Sequence, residues 1–156
     1  QRQMCIRDRS NTEKMAKFVK EGAERYGEVR LKHVKDANLS DLEWADAIIM
    51  GSPTYFGTMS AELKKFIDES VKIRGKLEGK IGAAFTSSGD EFGGNETTLM
   101  SILWAMLIHG MIVMGDPLKT GGHYGACAVE SPDEDAEKTC IELGERVAKL
   151  ALKLRG

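Results

Sequence analysis

An α/β fold, with a parallel sheet covered by helices on both faces, is the class this sequence predicts. Three observations carry it. Residues 45–51 (ADAIIMG) and 80–87 (KIGAAFTS) are apolar runs with the character of strands buried on both faces. Each runs into a polar, glycine-bearing loop and then into a helical pattern. Strands and helices alternate along the whole chain, the order that parallel sheets require.

In chain order, Asn11 and Thr12 open an amphipathic helix whose core face carries Met15, Phe18 and Val19 and which Gly27 can close. Residues 28–34 (EVRLKHV) alternate as a strand near a sheet edge, and 36–43 form a turn-rich connection in which SDLEWAD holds one helical turn. After the strand 45–51, a helix is predicted over 60–72 with Leu63, Phe66, Ile67 and Val71 inward. The strand 80–87 is followed by an apolar helix at 95–109, a strand at 111–115 and a glycine-rich loop at 119–127. Ser131 as cap, Pro132 at the first helical position and acids in the first turn then open a last helix reaching about Leu154. Four strands are visible, and the alternation asks for a fifth before Asn11.

The segment 1–9 (QRQMCIRDR) is four-ninths charged and reads as neither a signal peptide nor a good buried strand. It resembles a translated sequencing adapter. The expectation is a non-native segment at 1–9 and one functional domain over 10–156. The segment holds three Arg and one Asp, so the remainder carries −4 where the whole chain carries −2. Neither value gives an electrostatic reason to expect nucleic acid or an anionic membrane surface. No run approaches the roughly 18 apolar residues of a membrane span, since Trp104, His109 and Gly110 interrupt the most apolar stretch. The chain is expected to be cytoplasmic, with Cys5, Cys127 and Cys140 as reduced thiols.

Three loops at the carboxyl ends of predicted strands are where an open α/β sheet binds ligands. Ser10, Asn11 and Thr12 at a helix start form an anion site or an ordinary N-cap. Pro53 to Thr58 supplies a turn fixed by Pro53, aromatic surface from Tyr55 and Phe56, and positive φ at Gly57. Residues 87–96 bring Gly89, Gly93 and Gly94 with Asp90 and Glu91. No metal cluster, nucleophile or carboxylate pair accompanies them. Met100, Met106, Met111 and Met114 read as core filling, Trp44 and Trp104 as packing residues or interface, and Glu62, Lys64 and Lys65 as a solvated face.

The blocks GSPTYFGTMSAELKKFID (51–68) and KIGAAFTSSGDEFGGNETT (80–98), with HGM, GGHYGA and LGERVAKLALKL after them, resemble the flavodoxin-like NAD(P)H:quinone oxidoreductase family, also called the tryptophan-repressor-binding-protein family. The resemblance implies a three-layer sandwich with sheet order 2-1-3-4-5, whose first strand is here missing or replaced. It implies an FMN cofactor, NAD(P)H as co-substrate, quinone as acceptor and a homo-oligomer, dimer or tetramer. Of the family's phosphate pattern S-x-T-G-N-T, Asn11 and Thr12 remain, and Ser10 stands where a glycine is expected. Carried over, the phosphate falls to Ser10, Asn11 and Thr12. One side of the ring and ribityl chain falls to Pro53, Thr54, Tyr55, Phe56, Gly57 and Thr58, and the other to Ser87, Ser88, Gly89, Asp90 and Gly94. His109 matches a histidine near the flavin; on its own it reads equally as a C-terminal helix cap. Tyr124 and His123 are either a ring-closing and substrate-binding pair or surface loop. The alternatives are an FMN electron carrier without substrate turnover, which the modest net charge disfavours, and a non-catalytic interaction module.

Overall fold

The computed structural model describes residues 2–7 and 10–154, with the backbone path alone for residues 3–7 and 10. The elements are β1 (Arg2–Arg7), α1 (Ser10–Glu24), β2 (Glu28–His33), α2 (Leu39–Trp44), β3 (Ala47–Pro53), α3 (Ala61–Glu69), β4 (Ile81–Ser88), α4 (Asn95–Ile108), β5 (Ile112–Val113), β6 (Ala126–Val129) and α5 (Glu134–Leu154). All strand pairings are parallel, in the order β2-β1-β3-β4-β5, and β6 also pairs with β4. The anticipated order 2-1-3-4-5 is the one found.

The central slot, where the first strand is expected to be missing or replaced, is occupied by residues 2–7, paired with β2 along their whole length and with β3 over residues 3–6. Two flanking strands present whole rows of N–H and C=O groups, and buried rows must be paired. The fifth position is split: β5 and β6 sit on opposite ends of β4, Ile112 opposite Ile81 and Ala126 opposite Phe85. The stretch read as a glycine-rich loop at 119–127 thus closes on a strand. Gly125 makes the return possible, because a Cβ there would fall 2.2 Å from Ala84 O.

The sheet divides two half-cores. Ile48, Met50 and Ala84 face α2, α3 and α4, while Ala47, Ile49, Ala83 and Phe85 face α1 and α5. That alternation follows from the period of two along each strand. Met106 and Met111 are buried, and Met100 and Met114 pack against the two cores, so the methionines do fill space. Trp44 packs partly buried beside the Arg30 guanidinium, 3.7 Å from its ring centroid. Trp104 does not pack: it stays 57% exposed on α4. Behind the sheet α1 and α5 cross closely at two glycines, since a Cβ on Gly22 would lie 1.9 Å from Ile141 O and one on Gly144 2.0 Å from Val19 O. Asp133, not Ser131, caps α5 by accepting from Ala136 N at 2.8 Å.

Candidate functional site

One cleft of about 480 Å³ is lined by Asn11, Thr12, Pro53, Thr54, Tyr55, Ser87, Ser88, Gly89 and Glu130. Its size falls in the range of small-molecule sites. The parallel sheet builds it: β3 and β4 end in register at Pro53 and Ser87, and Thr54 N extends the ladder to Ser87 O at 2.8 Å. The first turn of α1 arrives alongside, where Thr12, fully buried, holds its hydroxyl 2.9 Å from Ser87 Oγ. The leading N–H groups of a helix have no partner within it, so α1 offers donors and a positive dipole end here. Ser10 begins α1; its side chain lies outside the described residues.

Each rim is a fixed loop. After Pro53, Tyr55 N donates to Thr58 O and Thr58 N to Tyr55 O, at 2.9 and 3.1 Å. Phe56 (φ 49°) and Gly57 (φ 76°) between them make a two-residue turn of the type I′ class. Tyr55 presents a half-exposed ring to the cleft, while Phe56 stands fully in solvent at the tip. Across the cleft, Ser88 Oγ donates to Asp90 O at 2.8 Å, and Asp90 Oδ1 accepts from Phe92 N at 2.8 Å. Asp90 therefore shapes its own loop. Phe56, Gly57, Thr58, Asp90 and Gly94 belong to the rims without lining the cleft.

Of the residues named from the sequence, His109 is not brought to the cleft. Its position follows from helix length. α4 starts at the rim, and its 14 residues carry the chain roughly 20 Å away at about 1.5 Å each. There the imidazole Nε2 lies 2.7 Å from Ser70 Oγ, which itself donates to Ile67 O at 2.6 Å. Ser70 can then only accept, so Nε2 carries the proton, and the buried Nδ1 has no partner among the described residues. Burial, and then the nearby Arg74, hold the His109 pKa below its ordinary value. His123 and Tyr124 line a separate hollow of about 450 Å³ between the start of α4, β6, the first turns of α5 and the segment 116–125.

Glu130 is the lining residue that sequence reasoning missed. It follows β6 directly, its N–H donates to Ser88 O at 2.7 Å, and its backbone is left-handed at φ 55°. Recognising ACAV as a strand would have marked it as a strand-tip residue. No Lys or Arg lines the cleft among the described residues, so an anion would be held by N–H groups and neutral hydroxyls beside one carboxylate. Burial raises the Cys127 thiol to about 12, with Glu96 and Asp116 adding to the effect, and raises Cys140 as well. Neither is a thiolate nucleophile at neutral pH. Free N–H groups at a helix start, an open approach at Gly89 and an aromatic ring on one wall fit FMN.

Comparison with known proteins agrees. The model of the NADPH-dependent FMN reductase family matches residues 5–124. The chain is 43% identical to a flavodoxin of Aquifex aeolicus over 89% of its own length and 80% of that protein's. It is 38% identical to an NAD(P)H dehydrogenase (quinone) of Archaeoglobus fulgidus, covering 92% of this chain and 93% of that one. Among solved structures, the flavodoxin, WrbA-like protein from Agrobacterium tumefaciens superposes with a TM-score of 0.83 at 29% identity, over 97% of this chain and 98% of that one. The fold is flavodoxin-like.

Proposed function

The chain belongs to the NADPH-dependent FMN reductase family, and from that premise we propose that it is an FMN-dependent oxidoreductase that moves two electrons from NAD(P)H to quinones. The single observation that carries the reading is the convergence of Asn11 and Thr12, Thr54 and Tyr55, and Ser87 to Gly89 on one cleft at the carboxyl edge of the sheet. Bound there, flavin supplies hydride acceptance and two-electron delivery, while the protein supplies position, polarity and access.

In this reading the first turn of α1 holds the phosphate through N–H groups, aided by the helix dipole. Thr12 and Ser87, hydrogen-bonded to each other, fix the floor beneath it. Tyr55 lies along the ring, and the backbone of Ser88 and Gly89 meets its polar edge. Proton traffic needs no buried acid, since both redox partners reach the cleft from solvent. The protein is further read as cytoplasmic and as a homo-oligomer. What supports the second point is α4, whose outward Trp104, Leu107 and Ile108 are each more than half exposed at i, i+3, i+4 spacing. A second reading, an electron carrier without turnover, is favoured by the likeness to the Aquifex flavodoxin.

The test is direct. Purified protein reconstituted with FMN should be yellow and oxidise NADH at a steady rate with benzoquinone. Flavin binding without NAD(P)H oxidation would transfer the assignment to the carrier.

A further inference from the structure

We propose that Asn95 is a positioning residue, whose side-chain amide latches the rim 54–58 to the start of α4 and sets the cleft width before cofactor enters. The inference rests on the reading above that this cleft takes FMN.

The argument begins with protons. Thr86 Oγ1 donates to Ser52 O at 2.7 Å, because a carbonyl can only accept. Thr54 Oγ1, 3.0 Å from Thr86 Oγ1, must then donate to it and spend its one proton. Toward Asn95, 3.2 Å away, Thr54 is left as an acceptor. The amide atom facing it, placed as Oδ1, is therefore better taken as Nδ2, since the two ends of an amide are told apart only by their partners. The chain of bonds runs Asn95 to Thr54 to Thr86 to Ser52, from the helix through the rim into two strands.

Asn at a helix start ordinarily caps it, but here Gly94 is the cap residue and Asn95 is the first residue of α4. Its side chain, only 6% exposed, reaches across to the other loop instead. The remaining ties between the rims differ in kind. Gly94 and Gly57 touch backbone to backbone, since a Cβ on Gly94 would meet Gly57 Cα at 2.8 Å. That contact stops the rims closing further and does nothing to stop them parting. Met59 N to Ser101 Oγ, at 3.4 Å, is long and lies a turn and a half down α4. Asn95 is thus the buried side-chain tie from the start of α4 that resists opening, in addition to the backbone bond from Thr54 N to Ser87 O. Thr54, with its N–H on Ser87 O and its hydroxyl proton on Thr86, keeps no donor for a ligand. It lines the cleft as structure.

The experiment compares Asn95→Ala, Asn95→Asp and Thr54→Val with wild type as apoprotein and after FMN addition. Hydrogen exchange of residues 55–58 in the apoprotein should quicken about tenfold in each variant. FMN Kd, read by flavin fluorescence, should rise about tenfold, and the visible circular dichroism of bound flavin should weaken. The double variant Asn95→Ala/Thr54→Val should lose no more than Thr54→Val alone, because Thr54→Val already removes the Asn95 bond together with the one to Thr86. Asn95→Asp, which keeps shape without a donor, should behave like Asn95→Ala. Kd within twofold of wild type with unchanged exchange overturns the latch, as does full additivity in the double variant. If Asn95→Ala does not fold, Thr54→Val reads the same bond from its other end. Wild-type protein that takes no FMN defeats the functional reading instead, and the exchange arm still decides the latch.

Discussion

The rims of the cleft and the segment 114–125 are both glycine-rich connections at the same edge of the sheet, yet they are held in opposite ways. The rims are tied redundantly, by ladder extension at Thr54, the Thr12–Ser87 and Thr54–Asn95 bonds and the Gly57–Gly94 contact. The segment 114–125 turns on one carboxylate. Asp116, 3% exposed, accepts from Thr120 Oγ1, Gly122 N and His123 N, while Arg146 Nη1 clamps Gly115 O and Asp116 O at 2.8 and 2.7 Å. A ligand seat needs several independent restraints because it must keep its shape when empty. A connection that only presents His123 and Tyr124 can rely on a single centre.

The sharpest way to break this contrast is Asp116→Ala. Three hydrogen bonds to a charged group go at once, at about 1.5–3 kcal/mol each before relaxation. Proteolysis within 117–124 should quicken at least a hundredfold while FMN Kd stays within twofold; a matching loss of flavin affinity would show that the two regions are one unit. Gly94→Ala is the converse. Its φ of 96° and the Gly57 backbone in the way together make a cost of about 2–4 kcal/mol. FMN Kd should rise at least tenfold with cleavage in 117–124 unchanged.

A smaller effect tests the far end of α4. The depressed His109 pKa means that the unfolded chain takes up a proton before the folded chain does. Stability should therefore fall as pH drops through about 6.5 and level off below the folded pKa. Thermal melts between pH 7.5 and 5 should show that slope, and His109→Gln should flatten it. An unchanged slope in the variant would assign it to another group. Smallest is Glu130→Gln, which removes the one carboxylate lining the cleft among the described residues and should tighten FMN about twofold, roughly 0.5 kcal/mol, at low salt only.

What could be read from the sequence followed from how strongly periodicity constrains each element. The runs AIIM and IGAAF announced β3 and β4 because strands buried on both faces leave no polar alternation. Their ends pointed to Thr54, Ser87 and Ser88, which the structure places along one cleft. The alternation asked for a strand before Asn11, but RQMCIR did not announce it, because two arginines interrupt its apolar character. β6 was hidden by its four residues and by the glycines before it, and Glu130 was lost with it. Asn95 stood in the sequence only as the start of a helix, since its partner Thr54 is 41 positions away. Of the two readings of His109, the structure shows the helix cap and not the cleft, because a motif match fixes sequence distance and says nothing of a helix's length in space.

The split fifth strand has an architectural consequence. Ile112–Val113 and Ala126–Val129 each register on β4 by themselves, so the path between them is free of any duty to align the sheet. Foreign peptide spliced after Leu118, which is nearly bare to solvent, would lengthen that path without shifting a single strand pairing. The edge of this sheet is a ready port for grafting, since no residue of the segment 114–125 lines the cleft.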